Sequence, residues 1–503
     1  MSDRFTLLDL VVLAAYMVGV TALGIRLGRG QKSARDYFVA SQQIPWWAVL
    51  FSVVATETSA LTFISIPGLA YTTDMTFLQV AVGYLLGRIV ISAMLLPRYV
   101  DGKLVTAYAL LEQRFGLATR RLASVTFMFT RAFGDSVRVF ATAIPVALII
   151  GPIVPSQWVA PMSILILGAF TLVYTYEGGM RAVVWTDVLQ TGVYMFGALM
   201  AVYLIGQGVD GGWSAVFSQA AEAGKLKLVD TYTGLDRPHT LWAGVIGGAF
   251  LSMASHGADQ LIVQRLLASN NLRDARRALI GSGIAVIVQF AIFLVIGIGL
   301  YAYYQGRQFA ASDQIFPTFI IEVMPPGVTG LVVAAILAAA MSTVSGSINS
   351  LSAATTHDIW MPLRKTPVDE ATGFRMGRIF TIFWAFVLIG GALLYKEQGT
   401  PVVVVALSIA SFTYGGLLGG FFLAVLWQRA RQIDAIVGMS AGIIVMTFVV
   451  FAARISDTWP VMAPALAPFA RIAWPWYVLI GTSITMIVGI TSSFLLPRKH
   501  RSK

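Results

Sequence analysis

Long apolar stretches alternate with short clusters of charge along the whole chain. A helix crossing the hydrocarbon core of a bilayer needs about 20 mostly apolar residues. Thirteen stretches qualify: 6–27, 46–71, 77–97, 122–150, 160–176, 183–206, 240–257, 278–303, 328–356, 377–395, 401–427, 433–453 and 474–496. We number them spans 1 to 13. The first is too long for the core of a secretory signal and lacks a small-residue cleavage site, so it counts as a span. The pattern predicts an all-α polytopic membrane protein.

The cations between the spans set an orientation. Of the 35 Lys and Arg, 24 fall on one side when the N-terminus is placed outside, eight fall on the other, and Arg88, Arg131 and Arg138 lie within spans. Cytoplasmic loops carry the excess of positive charge, which predicts an outside N-terminus and a cytoplasmic, basic C-terminal tail. This suits a bacterial inner membrane. The loops are short. The longest, 207–239, holds an amphipathic stretch from Trp213 to Ala223.

Composition narrows the class further. The 503 residues are 57% hydrophobic and 12% charged, with a mean hydropathy of +0.77. A soluble protein carries about twice that charge, so a multidomain soluble enzyme and a disordered chain are both excluded. The net charge of +11 sits in loop clusters and builds no soluble basic face, which argues against a nucleic-acid partner. Absence of cysteine removes disulfides, thiolate metal sites and a Cys nucleophile. No P-loop pattern occurs, so any transport is driven by an ion gradient or by a partner chain.

Polar groups inside the spans carry the functional signal, because such groups are costly in lipid and face the bundle interior. Span 2 holds Ser52, Thr56, Glu57, Thr58, Ser59 and Thr62, then Pro67-Gly68. A locally unwound helix there would offer carbonyls and hydroxyls to a cation; the plain alternative is a Ser/Thr helix contact with Glu57 protonated. Span 7 has the glycine run Gly244, Gly247, Gly248, then Ser252, Ser255, His256 and Gly257. Two interrupted helices at corresponding places point to a transporter built on an inverted repeat, with spans 2–6 and 7–11 as its halves. The expected organisation is therefore an N-terminal extra helix and loop (1–45), repeat 1 (46–206), a loop (207–239), repeat 2 (240–427), and two C-terminal helices with the tail (428–503).

Span 9 reads Ala339-Ala340-Met341-Ser342-Thr343-Val344-Ser345-Gly346-Ser347. Its neutral oxygens suit Na⁺ better than a divalent ion, which wants more carboxylates. Arg131, Asp135 and Arg138 share one face of span 4. They form either a buried ion-paired ladder or a ladder in which Arg138 keeps donors for a substrate carboxylate while Arg131 pairs with Asp135. Asp187, near the start of span 6, reads equally as a water-facing helix-start carboxylate or as a cation ligand. Arg88 reads as structural, and His256 as a packing residue or a proton carrier.

Several motifs then resemble the sodium:solute symporter family over about residues 5–430. They are Asp36-Tyr37-Phe38; Pro67-Gly68 with Ala70-Tyr71; Thr106-Ala107-Tyr108 through Leu111-Glu112-Gln113-Arg114-Phe115-Gly116; Gly178-Gly179-Met180-Arg181 through Asp187; Asp259-Gln260 with Gln264-Arg265; and Ala339 to Thr343 with Asn349-Ser350. The resemblance implies a leucine-transporter-type 5+5 inverted repeat with spans 2 and 7 broken, and a Na⁺-coupled importer working by alternating access. It implies a main Na⁺ site at Ala55, Thr58, Ala339, Ser342 and Thr343. A second Na⁺ would use Asp187, Ser342 and Ser345, with Gly346 standing where a further serine is expected. Family pockets lie between spans 2, 3, 4 and 7, which implies solute contacts from Glu57, Ser59, Thr62, Gln79, Arg138, Ser255 and His256. Glu57 departs from the neutral residue of sialic acid carriers toward the acidic one of proline carriers, and Leu61-Thr62 argues against a hexose. A small carboxylate-bearing solute is expected. The alternatives are a proton-coupled carrier using Glu57, Asp187 or His256, and a membrane solute sensor. An enzyme is not expected, since no metal set or nucleophile–base pair is visible.

Overall fold

In the computed structural model the described residues are 5–28, 31, 33–40, 43–150, 154–364, 366–395 and 402–495. The expected basic tail, 498–503, lies outside them, as do Arg4 and Lys396 of the charge count. The described residues are helical almost throughout, and their β-pairing is limited to one isolated bridge, Ile44 to Ser269. Among the described residues eight helices are long and apolar enough to cross a membrane, or nine if the bent pair in span 2 is one crossing. The chain is an integral membrane protein.

We label α1 (Leu7–Gly28), α2 (Trp46–Glu57), α3 (Ala60–Thr72), α4 (Leu78–Met94), α5 (Leu117–Ile150), α6 (Ser156–Gly208), α7 (Gly212–Glu222), α8 (Gly248–Gly257), α9 (Gln260–Leu267), α10 (Leu272–Tyr303), α11 (Val328–Ala354), α12 (Glu370–Leu394), α13 (Val402–Leu426), α14 (Gln432–Val450) and α15 (Trp476–Leu495). The centre is α11, with 94% of its apolar window buried. Helices α1, α5, α6 and α12 pack around it, and α10 packs against α2, α3 and α4. Helices α13, α14 and α15 form a tight group at one side.

Spans 5 and 6 lie on one long helix, α6, broken at Gly179. The sequence shows two spans with a short link. The structure bends the chain at a single residue with φ +53° and ψ −156°, a left-handed backbone that glycine adopts without a Cβ penalty. A Cβ there would also sit 2.6 Å from the Tyr37 carbonyl. Tyr37 in turn donates from its hydroxyl to the Thr175 carbonyl at 3.0 Å. Two of the sequence motifs thus form one joint.

The break expected in span 7 is not there. Residues Ala243–Gly247 form a π-helical turn with right-handed backbone that runs straight into α8. The glycines serve contact: a Cβ on Gly244 would lie 2.9 Å from Gln79 Cβ, and one on Gly248 would lie 2.8 Å from the Val80 carbonyl. Small residues let α4 and α8 approach closely, and the backbone keeps its hydrogen bonds by widening instead of opening. The chain turns later, at Ala258–Asp259, where the Asp259 carboxylate accepts from the Leu261 amide at 2.9 Å and caps α9.

The amphipathic stretch of the long loop is α7. Past it, Lys225 donates its ammonium to the Tyr71 carbonyl at 2.6 Å and the Thr73 carbonyl at 3.2 Å, and stacks on Tyr301 at 4.3 Å. A cation there answers the negative end of α3. Burial holds its pKa below the ordinary lysine value.

Candidate functional site

The break in span 2 is real. Helices α2 and α3 meet at 60°, with Thr58 and Ser59 off the helix and Ser59 accepting from the Thr62 amide to cap α3. The Ser59 amide bonds the Glu57 carbonyl at 3.1 Å, so the Ala55 carbonyl does not receive the amide that a continuous helix would supply. Thr58 is held from outside: Gln289 on α10 donates from Nε2 to Thr58 Oγ1 at 2.6 Å, and Tyr194 on α6 donates to Gln289 Oε1 at 3.1 Å. Neither Gln289 nor Tyr194 stood out in the sequence, because each lies alone in an apolar run.

Across from the break stands the hydroxyl face of α11. Ser342, Thr343, Ser345, Ser347, Asn349 and Ser350 are all buried. Most of these hydroxyls donate back to carbonyls three or four residues earlier, as Thr343 does to Ala339 at 3.2 Å and Ser345 to Ser342 at 3.0 Å, which is how such residues satisfy themselves in apolar helices. Two of them also reach carboxylates: Ser347 Oγ meets Asp135 Oδ2 at 2.5 Å, and the Ser342 hydroxyl donates to Asp187 Oδ1. The other oxygen, Oδ2, accepts from Ser52 Oγ on α2 at 2.5 Å and from Arg265 Nη2 on α9 at 3.3 Å. Asp187 is fully buried, so the water-facing reading of this residue is wrong.

This carboxylate therefore ties α2, α6, α9 and α11 together at one level. Ser52 lies one turn before Ala55, so α11 meets α2 within about a turn of the freed carbonyl. Ala55, Thr58, Ala339, Ser342 and Thr343 are all buried, and their carbonyl and hydroxyl oxygens are neutral, the ligand chemistry that a monovalent hard cation takes. Among the described residues no group of three or more His, Asp or Glu could hold a divalent metal.

Arg265, which the charge count places in a cytoplasmic loop, lies in α9 and is fully buried. Only the Gln264-Arg265 pair in the motif list hinted at it. Gln264 bridges the Phe38 carbonyl and Asn349 Oδ1, at 2.7 and 2.6 Å.

A second cluster gathers on the far side of α2. Arg88 on α4 donates from Nη2 to Glu57 and from Nη1 to Ser282 at 2.7 Å. His256 Nε2 lies 3.8 Å from Glu57 Oε2 and has no hydrogen-bond partner, while Nδ1 meets Ser255 Oγ at 2.8 Å. The Glu57 side chain stays 15% exposed although Arg88 is at 0%. Glu57 is therefore an ion-paired carboxylate, and Arg88, read as structural, is its partner. Ser59 and Thr62 lie together at the start of α3, their hydroxyls 3.3 Å apart.

The remaining candidates sit elsewhere. Gln79 is buried and clamps the long loop, donating to the His239 carbonyl at 3.1 Å and accepting from the Asp230 amide at 3.4 Å. Arg138 donates to Asp135 Oδ1 at 2.9 Å, closer than Arg131 at 3.4 Å. The main partner of Arg131 is Asp259, which also accepts from Tyr414 at 2.6 Å. The expected division, with Arg131 as the partner of Asp135, is thus reversed in strength. Arg138 is the more exposed of the two arginines, at 23% against 8%.

Comparison with known proteins agrees in scale. The sequence model of the sodium:solute symporter family matches residues 37–442. The sodium/sialic acid symporter NanT of Aliivibrio fischeri is 31% identical, covering 97% of this chain and 93% of its own length. The sodium/sialic acid symporter SiaT of Proteus mirabilis is 29% identical over 99% of this chain and 97% of its own. The human sodium-coupled monocarboxylate transporter 1 is 27% identical over 91% and 75%. A solved substrate-bound, outward-open Na⁺-coupled sialic acid symporter, described as having a novel Na⁺ site, superposes with a TM-score of 0.84 at 27% identity, covering 98% of this chain and 99% of that one. A nucleobase-cation-symport-1 transporter shares the fold alone, with a TM-score of 0.55 at 12% identity.

Proposed function

Since the chain belongs to the sodium:solute symporter family and is a Na⁺-coupled symporter of a small organic solute, we propose that it imports a carboxylate-bearing solute of the sialic acid or monocarboxylate kind. It does so by alternating access from a bacterial inner membrane, with the N-terminus outside and the C-terminus cytoplasmic. The full bundle has thirteen spans in a 5+5 inverted repeat, residues 46–206 and 240–427, with the remaining segments flanking or joining them. Sialic acid symporters among the similar proteins, and Arg138 on α5, the more exposed arginine of its ladder, support the substrate class.

The observation that carries the site is the shared carboxylate of Asp187. It brings Ser342 of α11 and Ser52 of α2 onto one group, within a turn of the carbonyl that the break leaves free. Na⁺ bound by the carbonyls of Ala55, Thr58 and Ala339 and the hydroxyls of Ser342 and Thr343 joins the broken segment to α11. Ser342 can serve both partners: its proton goes to Asp187 and a lone pair remains for the ion. The solute then binds beside Glu57, Ser59 and Thr62, with Ser255 and His256 on α8 and Arg138 for its carboxylate. Closure of the bundle follows, and loss of Na⁺ to the low-sodium side releases both. Gln79, used up by the loop, takes no part.

Radiolabelled N-acetylneuraminate and lactate uptake into proteoliposomes tests this. Accumulation with an inward Na⁺ gradient, absent with K⁺ and a pH gradient, is expected for one of them. Uptake driven by protons alone overturns the sodium site.

A further inference from the structure

The second Na⁺ position does not fit the residues this chain places there, and the reason is visible at Gly346. A Cβ built on Gly346 would lie 2.6 Å from Arg265 Nη2 and 3.2 Å from Nη1. The guanidinium fills the space that any larger residue at this position would claim. From there it reaches Asp187 Oδ2 with Nη2 at 3.3 Å, Ser52 Oγ with Nε at 3.0 Å, and its own helix at the Leu261 carbonyl with Nη1 at 2.8 Å.

We propose that Arg265 is a built-in cation occupying the second cation position, so that this chain binds and couples one Na⁺ where Asp187, Ser342 and Ser345 would otherwise gather two. The inference rests on the sodium reading above and deepens it.

The resemblance names the position, and three observations of this chain support the reading. The first is charge. Asp187 and Arg265 are both wholly buried, and one carboxylate facing one guanidinium is neutral. A Na⁺ added to the same pocket would face a cation at short range in a low-dielectric interior, where like charges repel strongly. The second is ligand supply. Asp187 Oδ1 already accepts from Ser342, and Oδ2 from Ser52 and Arg265, so an ion there would share oxygens whose negative charge three donors, one of them a cation, already offset. The third is space, since the small residue at 346 is what allows a planar guanidinium to lie against α11. An arginine keeps its charge at every physiological pH, so no change of pH removes the cation. Arg265 thereby acts as a positioning residue for the main site: it holds Asp187, which aims the Ser342 hydroxyl.

The test is a count of ions. The purified full-length protein in detergent is titrated with radioactive sodium-22 in equilibrium binding, alongside Arg265→Gln and Gly346→Ser. The expected result is one Na⁺ per chain with a Hill coefficient near 1 in the unmodified protein, rising to two in Arg265→Gln, where Asp187 needs a new counter-ion. Should Arg265→Gln not fold, Gly346→Ser decides. Its Cβ displaces the guanidinium and its hydroxyl adds a ligand, so two ions are expected there as well. Two ions bound by the unmodified protein overturn the proposal, as does one ion in the unmodified protein and in every variant that folds. No Na⁺ binding by the unmodified protein overturns the sodium reading beneath it, which separates the two failures.

Discussion

Arg88 of α4 donates to the carboxylate of Glu57, the last residue of α2. The pair sits where the chain breaks, with the arginine fully buried and the carboxylate partly open. It fixes the end of the interrupted helix to a neighbour without using backbone bonds, so the break can exist without the two halves drifting. It also means that one end of the proposed solute site is already charge-balanced before a solute arrives.

Removing one member of that pair strands the other. Arg88→Met is expected to lower stability by about 3–5 kcal/mol, the usual cost of leaving a buried partner unpaired. The double variant Glu57→Gln/Arg88→Met should recover most of it while still failing to transport. Thermal unfolding in detergent and uptake, measured on the same preparations, separate the two effects. Equal destabilisation of single and double variants would show that the pair is not the cause.

The α11 hydroxyls are not equivalent. Ser342→Ala removes the group shared between Asp187 and the proposed ion, and is expected to weaken the apparent Na⁺ affinity of uptake about tenfold or more. Ser345→Ala removes only a bond to its own helix and is expected to change it less than about twofold. The Na⁺ concentration for half-maximal uptake reads both. Equal effects would dissolve the distinction.

Coupling to one Na⁺ has an electrical consequence. A monocarboxylate anion moving with one Na⁺ carries no net charge, so a valinomycin-imposed potential should leave accumulation unchanged. Two ions would add about 2.3 kcal/mol per 100 mV, roughly a fiftyfold gain. Lactate or N-acetylneuraminate counts as such an anion, and flux against imposed potential measures the difference.

The two arginines of α5 should part company. Arg131 joins Asp135 and Asp259 in the interior, so Arg131→Ala is expected to cost about 3–5 kcal/mol. Arg138, less buried, leaves Asp135 with Arg131 and Ser347 when replaced. Arg138→Ala should therefore keep stability within about 1 kcal/mol, and raise the KM for a carboxylate solute. Unfolding temperature and concentration-dependent uptake check the pair.

His239 closes the long loop over α4. Its carbonyl accepts from Gln79 and its ring packs on Phe77 at 5.3 Å. Burial holds its pKa below the ordinary value of 6.5. The folded state thus prefers the neutral ring, and this contribution is full above the unfolded pKa and is lost as pH falls through 6.5 toward the lower folded value. Hydrogen exchange of residues 225–242 should accelerate over that window, and His239→Gln should abolish the change.

Periodicity alone determined much of this protein. Apolar run length located the helices, since no other element satisfies its backbone within lipid. Costly polar groups at bilayer depth pointed to Glu57, Asp187 and the hydroxyls of α11, because such groups must face an interior. A Pro-Gly pair and crowded hydroxyls marked the break at residues 57–60. What the one-dimensional pattern could not carry was who answers whom. The glycines of span 7 look in sequence like a second break, yet they are contact surfaces against α4, a fact that needs both helices. Arg265 looks like a loop cation, yet it is the buried counter-ion of a residue 78 positions away. Gly346 looks like a missing ligand, and only the tertiary fold shows a guanidinium in the space it leaves. Run length and hydropathy are properties of neighbours along the chain, so they are legible there. Charge pairing and volume are properties of neighbours in space, and only packing decides them.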